Sequence, residues 1–163
     1  KTRDAIIREG YPLVQSTQEG RFAEQGLGEW EGLTWDEALP GGEQHPFWHT
    51  TAEYRPPQGE SFIDVIERVH EGILEWTEKL RGKDIVCVAH GGVIRAVTSI
   101  AMGLSPDKAL SVGVDNCSIS RFDWVEYGED ETKKAWRTGY LNLSPRKPWG
   151  FANGAPLDEQ ERG

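Results

Sequence analysis

Ile85-Val86-Cys87-Val88-Ala89-His90-Gly91-Gly92 is the stretch on which the fold turns. A short unbroken apolar run of this kind suits a strand buried on both faces of a parallel sheet. His90-Gly91-Gly92 follows at once, and Val93 to Met102 reads as a helix that Gly103 stops, with Pro106 beyond. The unit is therefore strand, tight turn, helix. In open α/β sheets, ligands bind at the C-terminal ends of the strands. His90 stands at that edge. Two glycines let the backbone approach a ligand closely, and the free N–H groups of a helix start favour an anion. An imidazole there can donate to phosphate oxygens or move protons near neutral pH. The plainer alternative is a histidine that only caps the turn.

Outward from this unit, helices alternate with strands, which predicts an α/β architecture. Phe62, Val65, Ile66, Val69, Ile73 and Trp76 fall at helical spacing, and Leu80 closes the stripe. Ser61-Phe-Ile-Asp64 fits a capping box and Gly82 marks the stop. Ser118 to Tyr127 reads as a strand, with a hairpin partner around Ala135 to Leu141. Upstream, Thr2 to Glu9 reads as a helix already under way, and Tyr11 to Ser16 as a short strand. A domain seldom begins inside a helix that follows nothing, so an element ahead of Lys1 is expected. Residues 39–59 hold four prolines, three glycines and the aromatics Phe47, Trp48 and Tyr54, which predicts a long functional loop or lid. The tail from Ser144 reads as irregular.

Composition narrows the function. A length of 163 residues is a prior for one domain, at about 100–200 residues each. The 27 Asp and Glu against 18 Lys and Arg leave a formal net charge of −9, which argues against a nucleic-acid binder that must neutralise phosphates. No apolar stretch approaches a membrane span. The opening Lys1-Thr2-Arg3-Asp4 lacks the apolar run of a signal peptide. Cys87 and Cys117 make neither a disulfide framework nor a metal site. The expectation is a protein of the reducing cytoplasm, free of metal and cofactor and compatible with a homo-oligomer.

Two further spots carry chemistry. In Glu24-Gln-Gly-Leu-Gly28-Glu-Trp30-Glu31-Gly32, a carboxylate ahead of a glycine-rich turn can serve as a general acid if its site raises its pKa. The competing reading is a solvated loop acid, with Trp30 a packing anchor. In Pro57-Gln-Gly59-Glu60-Ser61, turn and helix cap suffice for Ser61, while Glu60 is a candidate to line the site. There is no Gly-x-Ser-x-Gly elbow, P-loop, His-Glu-x-x-His or Cys-x-x-Cys. His45 and His49, split by Pro46, read as lid residues rather than ligands.

Taken together, these spots resemble the histidine phosphatase superfamily, the phosphoglycerate-mutase-like proteins. Glu24-x-x-x-Gly28-x-Trp30-Glu31-Gly32 is similar to the acid-bearing box in its phosphatase form. Pro57-x-Gly59-Glu60-Ser61, with Asp64 and Arg68-Val69, is similar to the Gly-Glu-Ser helix start. Val88-Ala89-His90-Gly91-Gly92-x-Ile94-Arg95 resembles the second-histidine motif, and Asn116-x-Ser118-Ile119 the following strand. The resemblance implies a three-layer sandwich, a mostly parallel central sheet flanked by helices, as one domain over residues 1–163. It implies hydrolysis of small phosphate monoesters through a phosphohistidine, with Glu24 as acid and base, His90 in the phosphate pocket beside Gly91, and no metal.

The departures are specific. No Arg-His-Gly, the motif of the attacking histidine, occurs in the chain. The family's next motif has its remnant in Lys1-Thr2-Arg3-Asp4-Ala5-Ile6, where Lys1 takes the pocket arginine's register. Lys cannot reproduce the bidentate fork, so Arg3, two residues away, is the better chemical candidate for a phosphate contact. The first strand and the nucleophile are expected in a segment ahead of Lys1. The alternatives are a non-catalytic phosphate-ligand or protein-binding member of the same fold, and a generic α/β domain with chance matches. On the substrate side they are a phosphoglycerate mutase, or the α-ribazole phosphate branch suggested by Thr34-Trp35-Asp-Glu37. Specificity is expected in residues 39–58.

Overall fold

The structure, a computed structural model, describes residues 2–10, 16–38, 51–127 and 134–144. Its helices are α1 (Thr2–Gly10), α2 (Trp35–Ala38), α3 (Phe62–Lys79), α4 (Gly91–Met102) and α5 (Pro106–Leu110), and its strands β1 (Ile119–Glu126) and β2 (Lys134–Leu143). Single 3₁₀ turns at Gly20–Phe22 and Gly28–Trp30 shape the glycine-rich segment between α1 and α2.

The long helix α3 starts where the capping box was expected. Ser61 Oγ accepts the Asp64 N–H at 3.2 Å while Asp64 Oδ2 accepts the Ser61 N–H at 2.6 Å, satisfying two otherwise orphaned donors. Its apolar stripe goes inward, with Phe62, Val65, Val69 and Gly72 buried. Gly72 is small for a reason: a Cβ there would meet Phe22 Cε1 at 2.7 Å, so the 3₁₀ turn at residues 20–22 lies flush on α3. Helix α4 crosses α3 and buries Val93 and Ala96 against it. Its buried hydroxyls are satisfied locally, Thr98 Oγ1 donating to Ile94 O and Ser99 Oγ to Leu104 O. Gly103 ends α4 in the left-handed conformation, φ 63°. Pro106 does not merely lie past a helix end. It opens α5 at a first-turn position that needs no N–H. Ala52 and Ala109 complete the core, and Asp107 Oδ1 holds the Ala52 N–H at 2.6 Å.

One expectation is corrected here. Residues 85–89 form no ladder with any other described residue, and they are not buried: Val86 is 80% exposed and Val88 44%. A strand exists only where another backbone takes its N–H and C=O groups, and apolar composition cannot supply that partner. The sheet among the described residues is instead one antiparallel pair, β1 with β2. Trp124 faces Trp136 across it, ring centroids 5.0 Å apart, in a register that shifts at Arg121. The mostly parallel central sheet is therefore absent from the described residues. Tyr11 to Gln15, the lid residues 39–50 with Phe47, Trp48, His45 and His49, and the turn at 128–133 lie outside them, as do Lys1 and the tail from 145. No helix among the described residues is long and apolar enough to cross a membrane.

Glu19 ties the first 3₁₀ turn to α3. It accepts from Arg21 Nε and NH2 at 2.9 and 2.7 Å and from Trp76 Nε1 at 2.8 Å. The Arg21 guanidinium beside it, then the Trp76 indole, pull its carboxyl from 4.5 down to about 2. A carboxyl depressed in the folded state stabilises fully above its unfolded pKa, and that contribution fades as pH falls through the folded one. Acid unfolding of the wild type should therefore steepen between about pH 4.5 and 2. Glu19→Gln should flatten that interval, as followed by tryptophan fluorescence. Parallel acid-unfolding curves for the two proteins would rule the contribution out.

Candidate active site

The N-terminus of α4 presents N–H groups that have no partner inside the helix, at the positive end of its dipole. The Glu24 carboxylate takes one of them. Glu24 Oε1 accepts the Gly92 N–H at 3.1 Å, a contact between residues 68 apart in sequence, and the Gln25 N–H at 3.0 Å. Gly92 permits it, since a Cβ there would run into Glu24 Oε1. The negative charge at a helix start is favourable by about 0.3–1 kcal/mol at an exposed site, and both Glu24 and His90 are exposed.

His90 is the N-cap residue of α4, in extended conformation with φ −109°. Its backbone carbonyl accepts the Ile94 N–H, while its imidazole makes no cap hydrogen bond. The ring is thus not spent on the turn. Gly91 follows, and the Arg95 guanidinium lies against it: a Cβ on Gly91 would be 3.2 Å from Arg95 NH1. Val112 O holds Arg95 Nε at 2.9 Å. Imidazole, carboxylate, guanidinium and free N–H groups therefore gather at one helix end, a set able to hold an anion and shuttle a proton.

The other candidates are placed differently. Glu60 has both carboxylate oxygens engaged by Arg68, at 2.8 and 2.9 Å, and Oε2 also accepts the Gly26 N–H at 2.9 Å. The Arg68 guanidinium, ahead of the Gly26 N–H, holds the Glu60 carboxyl below the usual carboxylate range. Arg3 donates to Asp4 Oδ1 at 2.9 and 2.6 Å on α1. Trp30 stacks on Tyr54, centroids 5.8 Å apart, beside a shallow cleft that also includes Gln25, Leu27 and Phe62. Arg68 and Arg95 fall inside the motifs read from the sequence but are given no role there. Arg95 carried a usable signal, since it lies one helical turn after Gly91 and so on the same face. Among the described residues no group of three or more His, Cys, Asp or Glu is arranged to hold a metal ion.

A family model for the histidine phosphatase superfamily, branch 1, matches residues 2–137. The chain is 38% identical over 129 residues to glucosyl-3-phosphoglycerate phosphatase of Mycolicibacterium vanbaalenii, across 73% of this chain and 53% of that protein. It is 33% identical over 112 residues to the 2,3-bisphosphoglycerate-dependent phosphoglycerate mutase of Beijerinckia indica, across 65% of this chain and 53% of that protein. The mycobacterial glucosyl-3-phosphoglycerate phosphatase solved with inorganic phosphate superposes with a TM-score of 0.61 at 28% identity, over 77% of this chain and 64% of that one. The chain spans about half the length of these curated relatives. The likeness carries the family's α/β architecture, and the acid box, the Gly-Glu-Ser helix start and the His90 turn all fall inside the matched span. The chain belongs to the histidine phosphatase superfamily.

Proposed function

We propose that the protein is a phosphatase that hydrolyses small phosphate monoesters through a phosphohistidine. The reading rests on one observation above the rest, the Glu24 carboxylate seated on the Gly92 N–H beside His90. In the resting site that carboxylate stands where an anion would bind. On substrate binding, a phosphoryl oxygen takes the N–H groups of α4. His90, Gly91 and a guanidinium, for which Arg3 is the candidate, hold the other oxygens, and Glu24 turns to the leaving oxygen. Phosphoryl transfer asks for this kind of positioning and charge stabilisation.

The attacking histidine is proposed to come from sequence outside residues 1–163, because none of these residues forms the Arg-His-Gly motif. Residues 85–89 have no ladder partner among the described residues, and their apolar composition suits a further strand beside them. The histidine nitrogen bonds to phosphorus as the ester P–O bond breaks, and Glu24, displaced from the Gly92 N–H and having taken up a proton from solvent, gives that proton to the departing oxygen. Water then attacks the phosphohistidine, the P–N bond breaks, and Glu24 takes the proton that water releases. A phosphorylated glycerate or its sugar conjugate is the proposed substrate class, from the names of the relatives. The site is proposed to work without metal or cofactor, in the cytoplasm.

The test is phosphate release by the full-length protein, with EDTA present, from phosphoglycerates, sugar phosphates and α-ribazole phosphate. The expected result is turnover with a transient acid-labile phosphoryl-protein. Phosphate binding without turnover would point to a non-catalytic binding member. Phosphoryl movement within phosphoglycerate, faster than release to water, would point to a mutase.

A further inference from the structure

Arg68 spends its entire guanidinium on Glu60 and on the segment that carries Glu24. Nε and NH2 form a two-pronged bond with Glu60. NH1 donates to Arg21 O at 2.7 Å and Ala23 O at 2.9 Å, and NH2 donates to Glu24 O at 3.2 Å. All five N–H donors are thus placed. Glu60 grips the same segment from the other side: its carboxylate accepts the Gly26 N–H, its own N–H donates to Gly26 O at 2.8 Å, and its carbonyl accepts Gln25 Nε2 at 2.7 Å. Main-chain atoms before, at and after Glu24 are therefore held, while neither side chain touches its carboxylate. The anchor is rigid. Arg68 rises from α3 between Val65 and Val69, both 0% exposed, and its own side chain is only 19% exposed.

We infer that Arg68 and Glu60 are a positioning pair for the general acid, fixing the main chain at Glu24 so that its carboxylate can swing between the α4 N-terminus and a leaving-group oxygen without losing its place. The inference rests on the phosphatase reading of Glu24. It replaces the expectation that Glu60 itself lines the phosphate pocket. A planar fork is required, because one ammonium cannot serve Glu60 and three carbonyls at once.

A misplaced general acid has a signature that general loosening of the fold lacks. Alkyl phosphates need a proton on the departing oxygen, whereas 4-nitrophenyl phosphate expels a stable anion and hardly does. In the full-length protein, Arg68→Lys and the nearly isosteric Glu60→Gln should each lower kcat/KM for an alkyl phosphate monoester, by up to about 100-fold for a displacement of the order of 1 Å. The kcat/KM for 4-nitrophenyl phosphate, which reports only the step that forms the phosphohistidine, should be almost unchanged. In a Glu24→Gln background, either change should add no further loss with the alkyl ester, since the acid being positioned is already gone. Equal losses on both esters, or full additivity in the double variant, would overturn the positioning role while leaving the acid assignment intact. Unchanged alkyl-ester turnover in Glu24→Gln alone would overturn the acid assignment and the positioning pair with it. Glu60→Gln keeps the test decisive should Arg68→Lys fail to fold.

Discussion

Glu24→Gln in the full-length protein should lower turnover of alkyl phosphate monoesters by about 10²–10⁴-fold, the usual contribution of a positioned proton donor. The amide keeps the shape of the carboxyl group and can still accept the Gly92 N–H, so the N-terminus of α4 stays capped. What it cannot do is release a proton to a leaving oxygen or take one from water. The two functions of the residue are thereby separated. Because Glu24 is exposed, stability should move by no more than about 0.5 kcal/mol. The measurement is kcat/KM on an alkyl ester beside a urea melt of the same preparation. Activity that survives the change would remove Glu24 from the mechanism. A parallel collapse of stability would assign it a structural role at the helix end instead.

Gly28→Ala is expected to cost about 2–5 kcal/mol of stability, combining a left-handed backbone with a close approach of main chain. Gly28 has φ 58°. A Cβ there would run into Pro57 O and Gly59 N, which are backbone atoms with no rotamer to escape through. The following Glu29 N–H donates to that same Pro57 O at 2.9 Å, so the two segments are joined where the methyl would enter. Gly82 is the internal control. It is also left-handed, with φ 74°, yet nothing lies within 4 Å of its would-be Cβ. Gly82→Ala should therefore cost only the conformational term, about 1–2 kcal/mol. Denaturant midpoints at constant slope would compare them. Equal losses at both positions would show that the approach of residues 26–28 to residues 57–59 contributes nothing.

That approach also explains how the site is assembled. The acid box and the Gly-Glu-Ser helix start meet through Gly26 and Glu60, which are 34 residues apart in the chain, and each looked like a self-contained turn. In the fold they are one object, because Glu60 and Arg68 grip the backbone on either side of Glu24. Neither residue could be read this way from sequence. The partners of Arg68 are mostly carbonyl oxygens, which every residue has and no motif records. Glu60 looked like a pocket carboxylate because it neighbours the helix cap. Its carboxylate is paired with a guanidinium eight residues on, across the start of α3.

Local physics was legible wherever a signal and its partner lie within a few residues. The Ser61–Asp64 box, the stripe of α3, the α4 stop at Gly103 and the hairpin β1–β2 depend on contacts that short spacing specifies. The His90 turn belongs with them: its glycines and its place ahead of a helix are properties of the chain alone. What the sequence could not decide was anything requiring a distant backbone. Residues 85–89 have the composition of a central strand, and the absence of a ladder partner among the described residues leaves them irregular and exposed. The meeting of Glu24 with the Gly92 N–H, the seating of Arg95 against Gly91, and the pairing of Glu60 with Arg68 were likewise settled only in three dimensions. Sequence by itself determined the locally specified helices, the β1–β2 hairpin and the family. Tertiary structure alone decided which groups of the site meet, because hydrogen bonds form between atoms brought within about 3 Å, and only packing sets that distance between residues far apart in the chain.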